Sequence, residues 1–568
     1  MLVDYQARLQ QLHESIAQAA VAQKISLSVL IAVAASIAFL VSGVVQRRVP
    51  VWCVALPFPV MAGAGPWYAA NRRRWSGFLR LRNFYEGGVA RMEDRWHGNG
   101  FTGEEFRVPH HVYDPDLQVL GTGSLFELMC TARTGLGRRR LAGYLLHPCG
   151  IAVAAERQDA VRELKPRTEL RERLALLGKY DFQESTWEVF AGWLGIPAAP
   201  PPMWVRVVAA TSSAAIGALA LAGFVTTLPW GDLARWSTPF PALLTGIAWH
   251  YRNRTNFLNT AARRVGAEIA VMRAGIEMVA GLTFHSVRLT SIQERLREGN
   301  AVSSLRRLEW MTSALAQCDK PDLELASHAL AVRTQLYCAI EAWKARHAAQ
   351  LEGWLDAWAE FEALAAISGY AWEHPGDIFP KFAGGGSCFA AEGLGHPLLP
   401  AGTCVRNDVA LHAGNRFYIV SGSNMAGKST LLRSIGLNAV LANAGAPVRA
   451  TALRLTALEI FASLSIADSV LEGKSKFLAE VERVRLMLER AREAPVLFLI
   501  DEILSGTNSR DRGIASEAIV RALRQHGAIG ALSTHDLALT GIAQLEGLDG
   551  CNIHMGSGSE EDPLDFDF

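Results

Sequence analysis

The eight residues Gly422-Ser423-Asn424-Met425-Ala426-Gly427-Lys428-Ser429 follow the apolar run Phe417-Tyr418-Ile419-Val420 and precede a periodic apolar stretch, Leu431, Leu432, Ile435, Leu437 and Val440. A strand, the pattern G-x-x-x-x-G-K-S and a helix, in that order, let backbone N–H groups and a helix N-terminus converge on phosphates. The segment therefore predicts an α/β phosphate-loop domain that takes ATP along Gly422 to Thr430. Lys428 is expected to reach the β- and γ-phosphates, and Ser429 to hold Mg²⁺.

A second element supports the first. Val496 to Ile500 reads as a buried strand and ends in Asp501-Glu502. At that strand end Asp501 is expected to hold Mg²⁺ through water, and Glu502 to polarise the attacking water as general base. His535, after the run Ala528 to Ser533, is expected to sense the γ-phosphate. A glycine-rich turn without a ligand explains the loop alone but not the acidic strand that accompanies it.

Around these motifs the sequence resembles the MutS mismatch-repair ATPases. The resemblance rests on Asn424-Met425 inside the loop, Gly445 to Ala450 after it, and His396-Pro397 with Val405-Arg406-Asn407-Asp408 before it. Asp468, Gly473-Lys474-Ser475-Lys476-Phe477 and Glu480 are similar to that family's signature segment, and Gly506-Thr507-Asn508-Ser509 to the loop after the acidic strand. The resemblance implies an ABC-type ATPase that works as a homodimer, with Ser475 completing the partner's nucleotide site. It extends upstream: Gly123 to Leu128, Thr131 to Arg140 and Arg157 to Val161 resemble the start of a helical lever, and Glu362 to Ala365 with Pro375 its return.

Net charge +1 and 20% charged residues describe an ordinary multidomain chain, so the 50% hydrophobic content needs a local cause. Residues 25–45, 49–70 and 207–228 carry no charge, and each is long enough for a hydrocarbon core that needs about 20 residues. With the shorter 238–251, which holds Pro239 and Pro241, they predict two transmembrane helical hairpins. Arg72-Arg73-Arg74 and Arg252, Arg254, Arg263 and Arg264 put the long segments on the cytoplasmic side of an inner membrane, whereas Arg47-Arg48 oppose this for the first hairpin. The first apolar run is followed by arginines and not by a small-residue cleavage site, so it reads as an anchor.

Other features are plainer. Val265, Ile269, Met272, Ile276 and Val279 form one apolar helix face, expected to pack on another lever helix. Phe84-Tyr85-Glu86 looks like the family's mismatch-reading Phe-x-Glu, but the interval 87–123 is too short for that domain and its connector. It is read as a helix segment beside the membrane. Eight scattered cysteines predict reduced structural thiols, and His110-His111 with Asp114 and Asp116 a surface loop. Cys404 stands where the family presents an aromatic to adenine. The acidic end, Glu560, Glu561, Asp562, Asp565 and Asp567, is expected to be a solvated tail, where the resemblance implies a helix and a dimer-forming segment in related domains.

The reading is an α/β P-loop (ABC-type) ATPase domain plus an all-α lever interrupted by transmembrane hairpins. Its expected parts are an N-terminal helix and hairpin (1–75), lever (76–203), second hairpin (204–251), lever (252–372), ATPase (373–555) and tail (556–568). Expected partners are a second copy, the membrane, and mismatched or branched DNA by resemblance. No dense Lys/Arg stripe supports the DNA expectation. The alternatives are an ATP-gated membrane scaffold and a transport-type ATPase without direct DNA binding. The second lacks the Leu-Ser-Gly-Gly-Gln signature and charged residues in its spans.

Overall fold

The computed structural model describes residues 1–177, 192–193, 195–225, 230–318, 320, 323–324, 327, 330–423, 426–464, 476–504 and 507–556. Helices α1 (Leu2–Val45) and α2 (Pro57–Met92) fold back on each other, joined by a turn in which Arg47 has φ 56° and by a 3-10 turn, Val51–Ala55. At the root of this hairpin Tyr5, Leu12, Leu81, Tyr85 and Val89 are buried together, with the Tyr5 and Tyr85 rings edge to face at 4.9 Å. Gly88 admits Tyr5, because a Cβ there would lie 2.5 Å from the ring. The tip is the reverse: Phe39, Val45, Val51 and Trp52 are 77%, 77%, 74% and 66% exposed. Large apolar side chains clustered in the open signal a surface meant to be covered.

Short helices follow: α3 (Asp114–Leu117), α4 (Leu125–Met129), α5 (Gly135–Leu146), α6 (Ile151–Leu164) and α7 (Thr168–Leu176). Then come α8 (Met203–Val225), α9 (Trp230–Ser237), α10 (Pro239–Ala280), α11 (Val287–Arg297), α12 (Ala301–Gln317) and α13 (Val332–Glu373). The 42 residues of α13 span about 63 Å at ~1.5 Å per residue. Its Trp354, Trp358 and Phe361 enter one core with Ile269, Met272 and Ile276 of α10 and Leu305 and Leu308 of α12. Gly275 makes this possible, since a Cβ there would lie 1.9 Å from the Trp358 ring. The apolar face read from 265–279 thus packs against α12 and α13, Val265 itself lying among the side chains not described.

The α1–α2 hairpin and α8 meet opposite ends of α13. At its last residue Glu373 accepts two hydrogen bonds from Arg91 of α2, at 2.6 and 2.7 Å. At its first turn Gln335 donates to Ser213 of α8 at 2.7 Å, and Ser213 donates to the carbonyl of Leu330 at 2.9 Å. Among the described residues two helices are long and apolar enough to cross a membrane, α1 and the stretch Met203–Gly223. The expected span 49–70 is not one helix. Pro50 precedes the 3-10 turn, Pro57 opens α2, and only 57–70 remain before Arg72 to Arg74. Pro239 and Pro241 do not break the stretch 238–251 but lie in the first turn of α10, where proline has no helical hydrogen bond to lose. Phe84-Tyr85-Glu86 lies within α2, with Tyr85 buried at the root.

After α13 the chain forms two sheets. A mixed sheet has the order β1-β5-β2-β3, from β1 (Lys381–Phe382), β2 (Phe389–Leu394), β3 (Asn407–Leu411) and β5 (Ala452–Leu455). The second has the order β6-β7-β8-β4-β9, from β4 (Phe417–Gly422), β6 (Glu459–Ser463), β7 (Val496–Asp501), β8 (Ile529–Thr534) and β9 (Gly550–Met555). All its pairings are parallel. Parallel strands need both faces covered, which explains their continuous apolar runs. Phe417, Ile419, Phe498 and Ile500 face one core with α15 (Lys476–Ala491) and α16 (Ser509–Gln525). Tyr418, Val420, Leu497 and Leu499 face the other, shared with α14 (Lys428–Ala444) and the lever.

Two buried carboxyls fasten the start of α5 to α13 and α10. Glu362 of α13 accepts from the backbone N–H of Arg133 and Thr134 at 2.9 and 3.2 Å and from the Thr134 hydroxyl. Burial pushes Glu362 up to about 7, and burial with the nearby Glu362 pushes Glu268 of α10 up to about 8, against the opposing charge of Arg138. A raised carboxyl pKa means that the folded state holds protons the unfolded chain releases, so stability is greatest below the ordinary value near 4.5 and falls as pH rises through 7 to 8. Glu362→Gln is expected to flatten the lower part of that slope. Identical shifts of the unfolding midpoint in both proteins between about pH 5 and pH 8 would refute this assignment.

Candidate functional site

Strands β4, β7 and β8 end side by side, and their carboxyl ends form the crevice where ligands of open parallel sheets bind. At the end of β4, Gly422 has φ 152°, and a Cβ there would lie 2.5 Å from the Met555 carbonyl of β9. Gly427 has φ 86°, a conformation costly for other residues, and turns the loop into α14. Asn424 and Met425 lie outside the described residues. Ala426 is buried, Gly427 half-buried and Thr430 exposed on the first turn of α14.

Lys428 is the first residue of α14 and is only 5% exposed. Its Nζ donates to the carbonyls of Gly422 and Ser423, both at 2.8 Å, and lies 3.4 Å from Nδ1 of His535. Burial pushes the Lys428 amine below its ordinary value, although Asp501 and Glu502 oppose the shift. A cation held by neutral carbonyls beside two carboxylates is poised to exchange them for an anionic partner.

Ser429 donates its hydroxyl to one oxygen of Asp501, and Ser533 of β8 donates to the other. Glu502, immediately after β7, has φ 52°, a left-handed conformation that costs a non-glycine residue about 1 kcal/mol or more. Its backbone N–H donates to the carbonyl of Ser533 at 3.2 Å, and this turns its carboxylate onto Nε2 of His535 at 2.6 Å. With Lys428 donating toward Nδ1, the imidazole presents Nε2–H to Glu502. Lys428, Ser429, Asp501, Glu502 and His535 are therefore brought together from three neighbouring strand ends.

Ser475, Asp468 and Gly473-Lys474 lie outside the described residues, as do Gly506 and the acidic tail. What flanks the signature segment is described. Asp116 of α3, fully buried, accepts from the backbone N–H of Leu464 at 2.8 Å and from Arg483 of α15 at 2.6 Å. The Cys404 thiol accepts from the backbone N–H of His396 at 3.1 Å and presents no flat surface to a base. His111 serves its own loop and the Leu146 carbonyl, and among the described residues no group of three His, Cys, Asp or Glu could hold a metal ion. The expected surface loop of His110-His111 with Asp114 and Asp116 does not hold for the two aspartates, which are fully buried in α3, and Ser533 went unread in the sequence. Ser533 was legible as a polar residue ending a buried strand, whereas Asp116 gains its meaning only from distant partners.

A family model for MutS domain V matches residues 418–567, the span that holds these residues. The DNA mismatch repair protein MutS of Brevibacillus brevis is 32% identical over 242 residues, 41% of this chain and 28% of that protein. Through this domain the chain belongs to the MutS family. Endonuclease MutS2 of Thermus thermophilus is 38% identical over 162 residues, covering 28% of this chain and 21% of its own length. DNA mismatch repair protein MutS of Thermus aquaticus is 33% identical over 225 residues, 39% and 26% respectively. The chain spans about a quarter of the length of the curated relatives it matches.

Proposed function

We propose that this MutS-family chain is a membrane-anchored, Mg²⁺-dependent ATPase that acts on DNA structures or DNA-bound partners near the membrane. In this reading residues 373–555 are the ATPase domain, 76–203 and 252–372 the lever, and 1–75 and 204–251 the anchoring hairpins. The convergence of Lys428, Ser429, Asp501, Glu502 and His535 at one sheet edge carries the reading. The hard oxygen donors of Ser429 and Asp501 suit Mg²⁺, which when bound neutralises charge on the phosphates. Lys428 exchanges the carbonyls of Gly422 and Ser423 for phosphate oxygens. Glu502, aimed by its left-handed backbone and by His535, takes the proton of the attacking water. By resemblance Ser475 reaches the partner's nucleotide, so that ATP closes two copies and hydrolysis reopens them.

The exposed apolar side chains at the tip of α1, and the length and hydropathy of α1 and α8, support the anchoring. In fractionated cells the chain is expected to stay in the membrane pellet through alkaline carbonate washing. Release into the supernatant would reject the spans.

Lys428→Ala is expected to lose nucleotide binding, and Glu502→Ala to bind ATP but hydrolyse it about 10²–10⁴-fold more slowly, accumulating a closed dimer. Normal turnover by Glu502→Ala would remove it as the base. ATP binding without turnover in the unmodified chain would instead favour the ATP-gated scaffold.

Detergent-purified chain is expected to bind branched or mismatched DNA better than homoduplex, and only with ATP, with affinity falling as salt rises. Equal or no binding of all three DNAs at moderate salt, with ATPase activity intact, would confine the kinship to the engine.

A further inference from the structure

The apolar helices α8 and α10 are clasped by the lever part-way along their length. Ala209 of α8 and Leu244 of α10 are buried together with Ala331, the residue before α13. One turn further along α8, Ser213 donates to the carbonyl of Leu330 at 2.9 Å and accepts from Gln335 at 2.7 Å, and Gln335 donates to the same carbonyl at 2.9 Å. Arg333, in the same turn of α13, donates to the carbonyl of Cys318 at 2.9 Å. The exposed Lys320 and Glu324 follow that residue in the chain. A polar cap therefore closes this end of the lever beside Ser213.

Beyond the clasp little helix remains. From Ala214 to Val225 α8 continues for about 18 Å at ~1.5 Å per residue. On the return leg residues 236–243 give about 12 Å between Leu244 and Arg235, which forms an ion pair with Asp232 of α9. A hydrocarbon core is about 30 Å thick. A hairpin that crossed it would draw Arg333, Gln335 and the carbonyls they serve into the core, where charged and polar groups are costly. The first hairpin differs, since residues 25–45 run about 30 Å without a charge and the most apolar window of α1 is not buried.

We propose that α8, α9 and the start of α10 form a one-leaflet insertion, which enters the lipid leaflet facing the lever and returns from it without crossing. This rests on the membrane anchoring proposed above and gives it a topology in which only the first hairpin reaches the far side. The dimensions agree. With the polar cap at the membrane surface, a headgroup layer of about 5–7 Å leaves the end of α8 about 11–13 Å into a leaflet whose hydrocarbon is about 15 Å deep. Exposed Leu221 and Leu243 then meet acyl chains. Arg235, exposed and about 12 Å beyond the clasp, lies where headgroups give way to acyl chains and its long side chain snorkels to phosphate. Exposed Trp236 beside it is the residue type that favours this boundary.

The test is the accessibility of position 231, where an added Cβ meets open space. The full-length chain carrying Gln46→Cys and Gly231→Cys is treated with a membrane-impermeant maleimide in bacterial spheroplasts and in inverted inner-membrane vesicles, and modified thiols are located by peptide mass. Exposed Cys551 of β9 marks the lever side, and the thiol placed at position 46, just past α1, marks the far side. From both sides position 231 is expected to react at least about tenfold more slowly than the marker of that side, because it lies in hydrocarbon that the reagent does not enter. In a chain with Cys53→Ser, bimane attached at position 231 should be quenched by doxyl groups on acyl chains, measured against the same chain without the change at 231. Reaction of position 231 in spheroplasts as fast as position 46 would show a full crossing and overturn the proposal while leaving the anchoring intact. Reaction in inverted vesicles as fast as Cys551, or protection without quenching, would show that no insertion takes place and would overturn it as well. Failure of position 46 to react in spheroplasts, with release of the chain by carbonate, would instead remove the anchoring itself and the proposal with it.

Discussion

From Ser434 onward helix α14 is buried on every side, and the rest of the structure depends on that enclosure. It starts at Lys428, in the crevice of the parallel sheet, and from Ser434 to Ala444 no residue reaches the surface. Each neighbour arrives from a different part of the chain. Gly436 lets Leu117 of α3 pack against the helix, since a Cβ there would lie 2.7 Å from the leucine. Gly445, with φ 80°, ends it where a Cβ would lie 2.4 Å from Cβ of Arg157 of α6. Asn438 bonds the carbonyls of Gly395 and Ser434 and the N–H of Arg449. Close packing of this kind leaves little room for α14 to shift alone.

Polar seams hold the large pieces together where the apolar core ends. Arg91 with Glu373 ties the first hairpin to α13, Arg288 and Arg295 converge on buried Glu360, and Asp116 joins α3 to the residue after β6 and to α15. A buried charge that loses its partner is expensive, so these pairs select one arrangement of the pieces more than they add stability. The same reasoning explains why they lie at boundaries between elements far apart in sequence.

What was legible in the sequence is what depends on neighbours in the chain. The strand before Gly422, the acidic end of 496–500, the helix face 269–279 and the apolar stretches near 25–45 and 207–228 all carry local periodicity or a local motif. The division of the expected span 49–70 into a 3-10 turn and α2 was also written locally, in Pro50 and Pro57, but an absence of charge masks it. Long-range meetings were not legible. Nothing near Asp116 announces that its carboxylate receives the N–H of Leu464, and nothing near Ser213 announces that Gln335 donates to it. The left-handed backbone of Glu502 is likewise imposed by Ser533 on a neighbouring strand, and not by any turn residue in its own segment.

The length of α13 sets a mechanical scale. A straight helix of 42 residues pivoting at Glu373 moves its Val332 end by about 1 Å for each degree of rotation, given ~1.5 Å of rise per residue. The α1–α2 hairpin is fastened at the pivot and α8 at the far end, so the same rotation leaves one nearly still and sweeps the other sideways. A tilt of a few degrees at the Glu373 end would therefore alter the spacing between the α1–α2 hairpin and α8 by several ångströms. The molecule is built like a caliper, with one jaw fixed and the other carried by the arm.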